Sequence, residues 1–485
     1  MKHQRRIAVI NDVTGFGRCS VTVALPILSA MRLETCIVPT AVLSMHTAYP
    51  EYMLHDFTPY LPEYIDSWAQ RNLTFDGILT GFLGSEEQIE DVERFLQTFG
   101  GTDGQGERPR IVVDPVMGDH GKIYTSYTQT MCKAMRRLVP YADVVTPNVT
   151  ELCELTDASY DEIMGDFEKA GIRESTWTML CRKLSDMGPK VVVVTGLPQE
   201  EQILNLVYRR EEDRLTVIAS KRVGQERCGT GDIFSSVLAG SFVHGASVEE
   251  AVALAARFVS VAAETTQDFG VDPKEGLCFE ECLSMLTEIR TDHSELFDVR
   301  TPDGEVTGMV MSREDAHRYG YLHGTVHLWI WRPSQDATGV DVLLQRRCEE
   351  KESYPGCLDI SSAGHISAGQ VPEDAVLREL YEELGLQVAL TDLTYLGTHT
   401  GYSSGHFHGK VFRNHELSYV YAYEKDLDPQ TLSPDPVEVS EVCWLPGSVI
   451  SEAVKNRAPG YCLYETEWNM VLEAVTRSAS IGGKK

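Results

Sequence analysis

Between Gly364 and Leu386 the chain spaces its glycines, one arginine and three of its four glutamates so that a single local structure uses them together, a loop running into a helix. Glu379, Glu382 and Glu383 stand at i, i+3 and i+4, which a helix brings to one face. Val376, Leu380 and Leu384 then form a packing stripe on the other side, and Gly385 falls where a left-handed residue ends a helix. Clustered carboxylates are hard oxygen donors that suit Mg²⁺ or Mn²⁺, ions that keep waters and bridge phosphate oxygens. A solvated acidic helix face has the same residue types. The fixed spacing is what separates the two readings.

That spacing resembles the Nudix box, Gly-x5-Glu-x7-Arg-Glu-apolar-x-Glu-Glu-x-Gly-apolar, of hydrolases that split diphosphates linked to another group. One position departs, because the box's first Glu is Gln370 here, and a neutral amide hydrogen-bonds without neutralising a cation. The resemblance implies Glu379, Glu382 and Glu383 as ligands of Mg²⁺ or Mn²⁺, with Gly364, Gln370, Arg378 and Glu416 in support. Arg378 would orient a box carboxylate, and Glu416 would add a ligand or base. His317, His327, Ser361 to His365 and Asn414 to Leu417 are similar to the isopentenyl-diphosphate isomerase-like branch of that family. True isomerases of that kind carry a proton-transferring cysteine before the Gly-His pair, where this chain has Ala363, so hydrolysis is the expectation. His323 and His365 are read as structural residues. A Nudix fold that senses a nucleotide without hydrolysing it is the alternative that Gln370 keeps open.

At 485 residues the chain is too long for one ordinary core, which predicts two or three domains. Lys and Arg number 43 against 72 Asp and Glu, a formal charge of −29 that repels phosphate backbones and anionic membranes. Small-molecule substrates, with no nucleic acid and no membrane, are the expected partners. No apolar run of about eighteen residues occurs. The basic start Met1 to Arg6 is followed only by Ile7–Ile10, too short for a signal-peptide core. Twelve scattered cysteines without a Cys-x2-Cys pair then read as reduced thiols of a cytoplasmic protein.

Residues 1–288 alternate short β-branched runs with helical patterns. Ile7–Ile10, Gly77–Thr80, Arg110–Val113, Asp143–Thr146 and Lys190–Thr195 read as buried parallel strands of a layered α/β domain. A polar linker is placed at 289–296. A second domain over 297–478 carries strand-like runs Val326–Trp331, Val342–Arg346, Leu417–Tyr423 and Glu441–Leu445 around the box helix, and 479–485 reads as a flexible tail.

In the first domain Gly229-Thr230-Gly231-Asp232 precedes a small-residue helix, an arrangement that aims backbone N–H groups at an anion. Asp232 at the helix start can take a hydroxyl proton, or serve as an ordinary N-cap. Asp114 to Tyr124, Asn148 with Glu151, and Thr195-Gly196 each follow the carboxyl end of an expected strand, where active-site loops of α/β sheets lie.

Together these segments resemble the ribokinase superfamily, specifically the pyridoxal (vitamin B6) kinases, over the whole first domain. The resemblance implies a ribokinase-like layered domain with a mainly parallel sheet, followed by a Nudix α/β/α sandwich with a mixed sheet. It implies Asp232 as catalytic base, Gly229, Thr230 and Gly231 as the anion hole, and Asp114, Asn148 and Glu151 holding Mg²⁺ and ATP, with Thr195 near the phosphates. Ser44, His46, Thr47 and Phe82 would line the pyridine pocket, Phe82 replacing the commoner Tyr, and Asp12 would face the substrate ring or form an Asx-turn. A homodimer through the kinase domain is implied as well. The hydroxymethylpyrimidine kinases of thiamine synthesis share the fold and both aspartate motifs. The continuation Gly118-Asp119-His120-Gly121-Lys122-Ile123-Tyr124 favours the pyridoxal type. Cys228 beside the anion hole reads as a plain thiol, or as one able to capture an aldehyde.

Overall fold

The computed structural model describes residues 4–101, 108–287, 295–349, 351, 354–407 and 410–482. The chain divides into two units, Met1–Ser294 and Glu295–Lys485. The expected linker lies mostly outside the described residues, as do 483–485.

In the first unit the apolar runs become strands β1 (Arg6–Thr14), β2 (Glu34–Leu43), β3 (Leu54–Asp56), β4 (Gly77–Thr80) and β5 (Arg110–Val113). A small hairpin, β6 (Gly118–Asp119) and β7 (Lys122–Ile123), precedes β8 (Val144–Val145), β9 (Val191–Gln199), β10 (Gln202–Arg209) and β11 (Arg214–Lys221). Strands β2, β1, β4, β5, β8 and β9 run parallel in that order, with β3 antiparallel at one edge and β10 and β11 antiparallel at the other. Ile7, Ala8, Val9 and Ile10 are wholly buried because helices cover both faces of this sheet. One row is Val21–Ala30, Thr230–His244 and Val248–Phe269; the other runs from Leu61–Ala69 through Glu86–Phe99, Gln129–Met135 and Val149–Thr156 to Glu174–Ser185. The expected layered α/β architecture is present, and the carboxyl ends of β1, β4, β5, β8 and β9 gather the loops that carry the candidate residues.

The second unit contains β12 (Leu296–Arg300), β13 (Val306–Ser312), β14 (His323–Pro333), β15 (Val340–Arg347), β16 (Leu358–Asp359) and β17 (Ser362–His365). They are followed by β18 (Thr394–Phe407), β19 (Lys410–Glu424) and β20 (Val439–Pro446). Strand β14 is central, parallel to β19 and antiparallel to β12, β15 and β17, so the sheet is mixed as expected. Alternation along β14 feeds two cores. Val326, Leu328 and Ile330 pack with Ala375, Val376, Leu380 and Leu384 of the helix Pro372–Leu384. Trp329 and Trp331 pack with Ile450, Trp468 and Val471 of the two C-terminal helices. Gly385 closes the first of these helices at φ +70°. The last helix, Glu465–Gly482, continues through 479–482, where a flexible tail was expected.

Candidate active sites

Gly229 caps the helix Thr230–His244 at φ +75°, and a Cβ there would sit 1.8 Å from the Arg18 carbonyl oxygen. Only glycine fits. This cap has no side chain to satisfy the first-turn N–H groups, and a Cβ on Gly231 would meet nothing within 4 Å. The helix start is therefore an open cradle of unsatisfied donors at the positive end of a dipole, which fits a phosphate group. Gly231→Ala is accordingly expected to fold normally yet weaken ATP use, because the methyl enters the cradle; melting temperature and KM for ATP check this.

Asp232 in the first turn accepts a hydrogen bond from Asn11 Nδ2 at 3.1 Å. Burial pushes its carboxyl up to about 6, with Asp12 adding to the rise and bonds from Ser20 and Asn11 opposing it. The Asn11 amide is the joint of this site. Its Oδ1 also accepts from Phe82 N at 2.9 Å and Asp12 N at 3.0 Å, so one buried side chain ties β1, the Gly81–Phe82 segment and the candidate base together. A Cβ on Gly81 would collide with that amide at 2.4 Å. Asn11 lies within β1, beside the Asp12 that the resemblance implies for the substrate ring, and its bonds to Asp232 and Phe82 join residues far apart in the chain.

Asp114 and Glu151 are buried, and burial raises both carboxyls, each also raised by a neighbouring acid, Asp232 for Asp114 and Asp114 for Glu151. No ion pair to a cationic side chain involves Asp114, Glu151 or Asp232 among the described residues. Such an uncompensated set of hard oxygens fits Mg²⁺. Asn148 and Glu151 form a capping box at the start of Val149–Thr156, and Glu151 also accepts from Met117 N at 3.0 Å. Asn148 Nδ2 donates to the Gly118 carbonyl at 2.8 Å. The amide of Asn148 thus holds the Met117–Gly121 loop beside Glu151, the other member of the pair that the resemblance implies for Mg²⁺ and ATP. Thr195 bridges to Asn148 in the sheet and leads into Gly196 at φ +77°.

On the acceptor side Asp12 is buried and accepts from Thr14 Oγ1 at 2.7 Å, and burial raises its carboxyl. Phe82 packs edge-on to Tyr127. His46 Nδ1 accepts from Ala48 N and Ser44 Oγ from Met53 N, so both side chains shape their own loop, and Ser44 and Thr47 are exposed. The Cys228 thiol is half-buried and pushed up by that burial, opposed by Lys274. All twelve cysteines are free.

In the second unit Arg378 Nη1 lies 2.8 Å from both Glu379 Oε1 and Glu382 Oε2, and its Nη2 reaches the His365 carbonyl and Gln370 Oε1. Glu383 accepts from Ala363 N at 2.9 Å and Gln345 Nε2 at 3.2 Å. Glu379 and Glu383 are buried while the Glu382 side chain is 54% exposed. Burial pushes Glu379 up to about 8 and Glu383 to about 7. A Cβ on Gly364 would meet the Glu379 carboxyl at 1.9 Å, so that carboxylate fills the space the glycine leaves. Buried acids raised in this way fit a divalent cation.

The histidines require a correction. His317, His323, His365 and Glu416 bring one ligand atom each within 4.8 Å of one another, and Nε2 of both His323 and His365 is buried without a hydrogen-bond partner. Glu416 belongs to this cluster, 3.7 Å from His365, at the position where the resemblance implies a ligand or base. His323 and His365 are held neutral by burial, the form that ligates metal. Strand pairing supplied what single histidines in a sequence do not show: Thr325 is opposite His365 and His323 opposite Glu416.

Residues 26–276 match the family described as phosphomethylpyrimidine kinase, and residues 322–463 match the NUDIX domain. The chain is 32% identical over 266 residues to a pyridoxine/pyridoxal/pyridoxamine kinase of Bordetella avium, covering 52% of this chain and 82% of that protein. It is 48% identical over 94 residues to Nudix hydrolase 3 of Arabidopsis thaliana, a match that spans only 19% of this chain and 12% of that protein. A candidate phosphomethylpyrimidine kinase of Bacteroides thetaiotaomicron, crystallised in an orthorhombic form with pyridoxal, superposes with a TM-score of 0.55 at 36% identity, over 60% of this chain and 99% of that one.

Proposed function

This chain belongs to the phosphomethylpyrimidine/pyridoxal kinase family and carries a NUDIX domain fused C-terminally, and from that premise we propose that its first unit phosphorylates the 5′-hydroxymethyl group of a vitamin B6 vitamer with ATP. The observation that carries the reading is the joint at Asn11, which holds Asp232 beside an uncapped helix start. Support for the B6 choice comes from the relatives, a B6-vitamer kinase and a structure with pyridoxal.

Asp232 takes the hydroxyl proton as the oxygen attacks the γ-phosphorus, and the N–H groups of Thr230 to Asp232 stabilise the transferring phosphoryl. Asp114 and Glu151 would hold Mg²⁺, which neutralises phosphate charge when bound. A base must be ionised to act, so kcat/KM is expected to rise as pH climbs through about 6, the position to which burial moves Asp232. A pH profile of initial rates checks the sign. Stability follows the opposite course. The folded state keeps a proton on Asp232 that the unfolded chain has already lost, so this group's contribution falls as pH rises from the ordinary carboxylate range to about 6.

For the second unit the reading is hydrolysis of a diphosphate-containing compound: Glu379, Glu382 and Glu383 would hold Mg²⁺ or Mn²⁺, which would supply an activated water when bound, and Arg378 fixes two of the carboxylates. Ala363 cannot transfer a proton, which disfavours isomerisation. Release of phosphate from a panel of nucleoside diphosphate derivatives separates hydrolysis from sensing, since a sensor binds without turnover. Among the described residues no helix is long and apolar enough to cross a membrane.

A further inference from the structure

Strand β15 carries one buried polar residue where its pattern calls for an apolar one. Val342 and Leu344 belong to the core formed with the two C-terminal helices, while Leu343 packs with Val376, Leu380 and Leu384 of the helix Pro372–Leu384. Alternation puts Gln345 on the side of Leu343, facing that helix, and it is 2% exposed. Its backbone is fixed from both sides, opposite Asp359 of β16 and Val442 of β20. An apolar side chain would fill the position without the cost of burying an amide.

One end of that amide has a partner and the other has none. Nε2 donates to Glu383 Oε2 at 3.2 Å, the same oxygen that accepts from Ala363 N at 2.9 Å, and the Ser362 hydroxyl bonds to this carboxylate as well. A carboxylate oxygen only accepts, so the N–H end of Gln345 is the end that meets it. Oε1 is left buried without a hydrogen-bond partner. Such an oxygen is costly to bury, and a hydrogen-bonding water is the usual remedy.

We propose that Gln345 is a positioning residue of the second unit's metal site: its Nε2 pins Glu383 so that the carboxylate is presented to Mg²⁺ or Mn²⁺, and its Oε1 accepts a hydrogen bond from a water carried by that ion. The inference rests on the reading of Glu379, Glu382 and Glu383 as the ion's ligands.

An amide suits both tasks. A lysine or arginine at this position would place a fixed positive charge against the ion, and an acid would set a further negative charge against Glu383. Glutamine supplies a donor for the carboxylate and an acceptor for the water while leaving the charge of the site unchanged. The arrangement was hidden in the sequence, because Gln345 and Glu383 lie 38 residues apart and meet only across the packing of β15 on the helix.

The test uses the full chain without substrate, with Mn²⁺ binding followed by electron paramagnetic resonance. The ion of interest is the one that Glu383→Gln weakens, which separates it from any ion on the histidine cluster. Gln345→Leu is expected to weaken that ion about 10–100-fold, the range for loss of a ligand's support, with little change in the melting temperature of the metal-free chain. Gln345→Glu keeps the oxygen and loses the N–H, so its affinity is expected to fall between those of the parent and Gln345→Leu. Parental Mn²⁺ affinity in Gln345→Leu overturns the inference. So does weaker binding by Gln345→Glu than by Gln345→Leu, the order that a packing role gives, or a loss of affinity that comes in both variants only with a lowered melting temperature. If Glu383→Gln weakens no ion, the ligand reading falls and the inference with it. If Mn²⁺ binds in the expected order and no nucleoside diphosphate derivative is turned over, hydrolysis alone is refuted and the positioning role stands.

Discussion

Asp232→Asn is expected to lower kcat for phosphoryl transfer by about 10²–10⁴-fold, the range for loss of a positioned base, with acceptor binding little changed. The amide keeps the shape of the carboxylate and can still accept from Asn11 Nδ2, so the joint between β1 and the helix start persists. What it cannot do is take the hydroxyl proton. The cradle at Gly229 to Gly231 is untouched, so ATP should bind as before. The variant also removes a carboxyl whose ionised form burial disfavours, so its melting temperature above pH 7 should equal or exceed that of the parent. Single-turnover rates and vitamer titrations separate the two effects, and near-normal kcat would sink the assignment.

Gly364→Ala is expected to cost the second unit about 10–100-fold in metal affinity or hydrolytic activity, the range seen when the support of a metal ligand is disturbed. The new methyl would overlap the Glu379 carboxyl at 1.9 Å. That carboxyl cannot simply move aside, because Arg378 holds it at 2.8 Å and the helix Pro372–Leu384 is fixed by Ala375, Val376, Leu380 and Leu384 in the core. The kinase reaction serves as the internal control and should be unaffected. Mn²⁺ titration beside both assays checks the result; unchanged Mn²⁺ affinity and hydrolysis would mean that Glu379 does not hold the ion.

Local signals made much of this legible. Runs such as Gly77–Thr80 and Arg110–Val113 carry consecutive buried apolar residues, Ile78 with Leu79 and Ile111 to Val113, because both faces of a parallel sheet are covered, and they stood out as strands of that length. Strand β2 was not anticipated: it carries Pro39 and has exposed positions at Glu34 and Val42, so its pattern is broken. The β10–β11 hairpin, an antiparallel edge whose turn is Arg210 to Asp213, was not anticipated either. Sites followed the same rule. The spacing of Glu379, Glu382 and Glu383 is a helical period and could be read directly. The gathering of His317, His323, His365 and Glu416, and the threefold engagement of Asn11, depend on strand register and on residues far apart in the chain. Ser44 and His46 were assigned by motif alone, and the structure shows their side chains bonded to backbone within their own loop.

The most direct test of the central claim is ATP-dependent phosphorylation of pyridoxal, pyridoxamine, pyridoxine and hydroxymethylpyrimidine, measured side by side on the full chain. The account predicts that kcat/KM favours a B6 vitamer and that Asp232→Asn abolishes most of that turnover. A preference for the pyrimidine would contradict it, placing the kinase unit with the thiamine-precursor kinases and removing Phe82 and the Ser44 to Thr47 loop from any pyridine pocket.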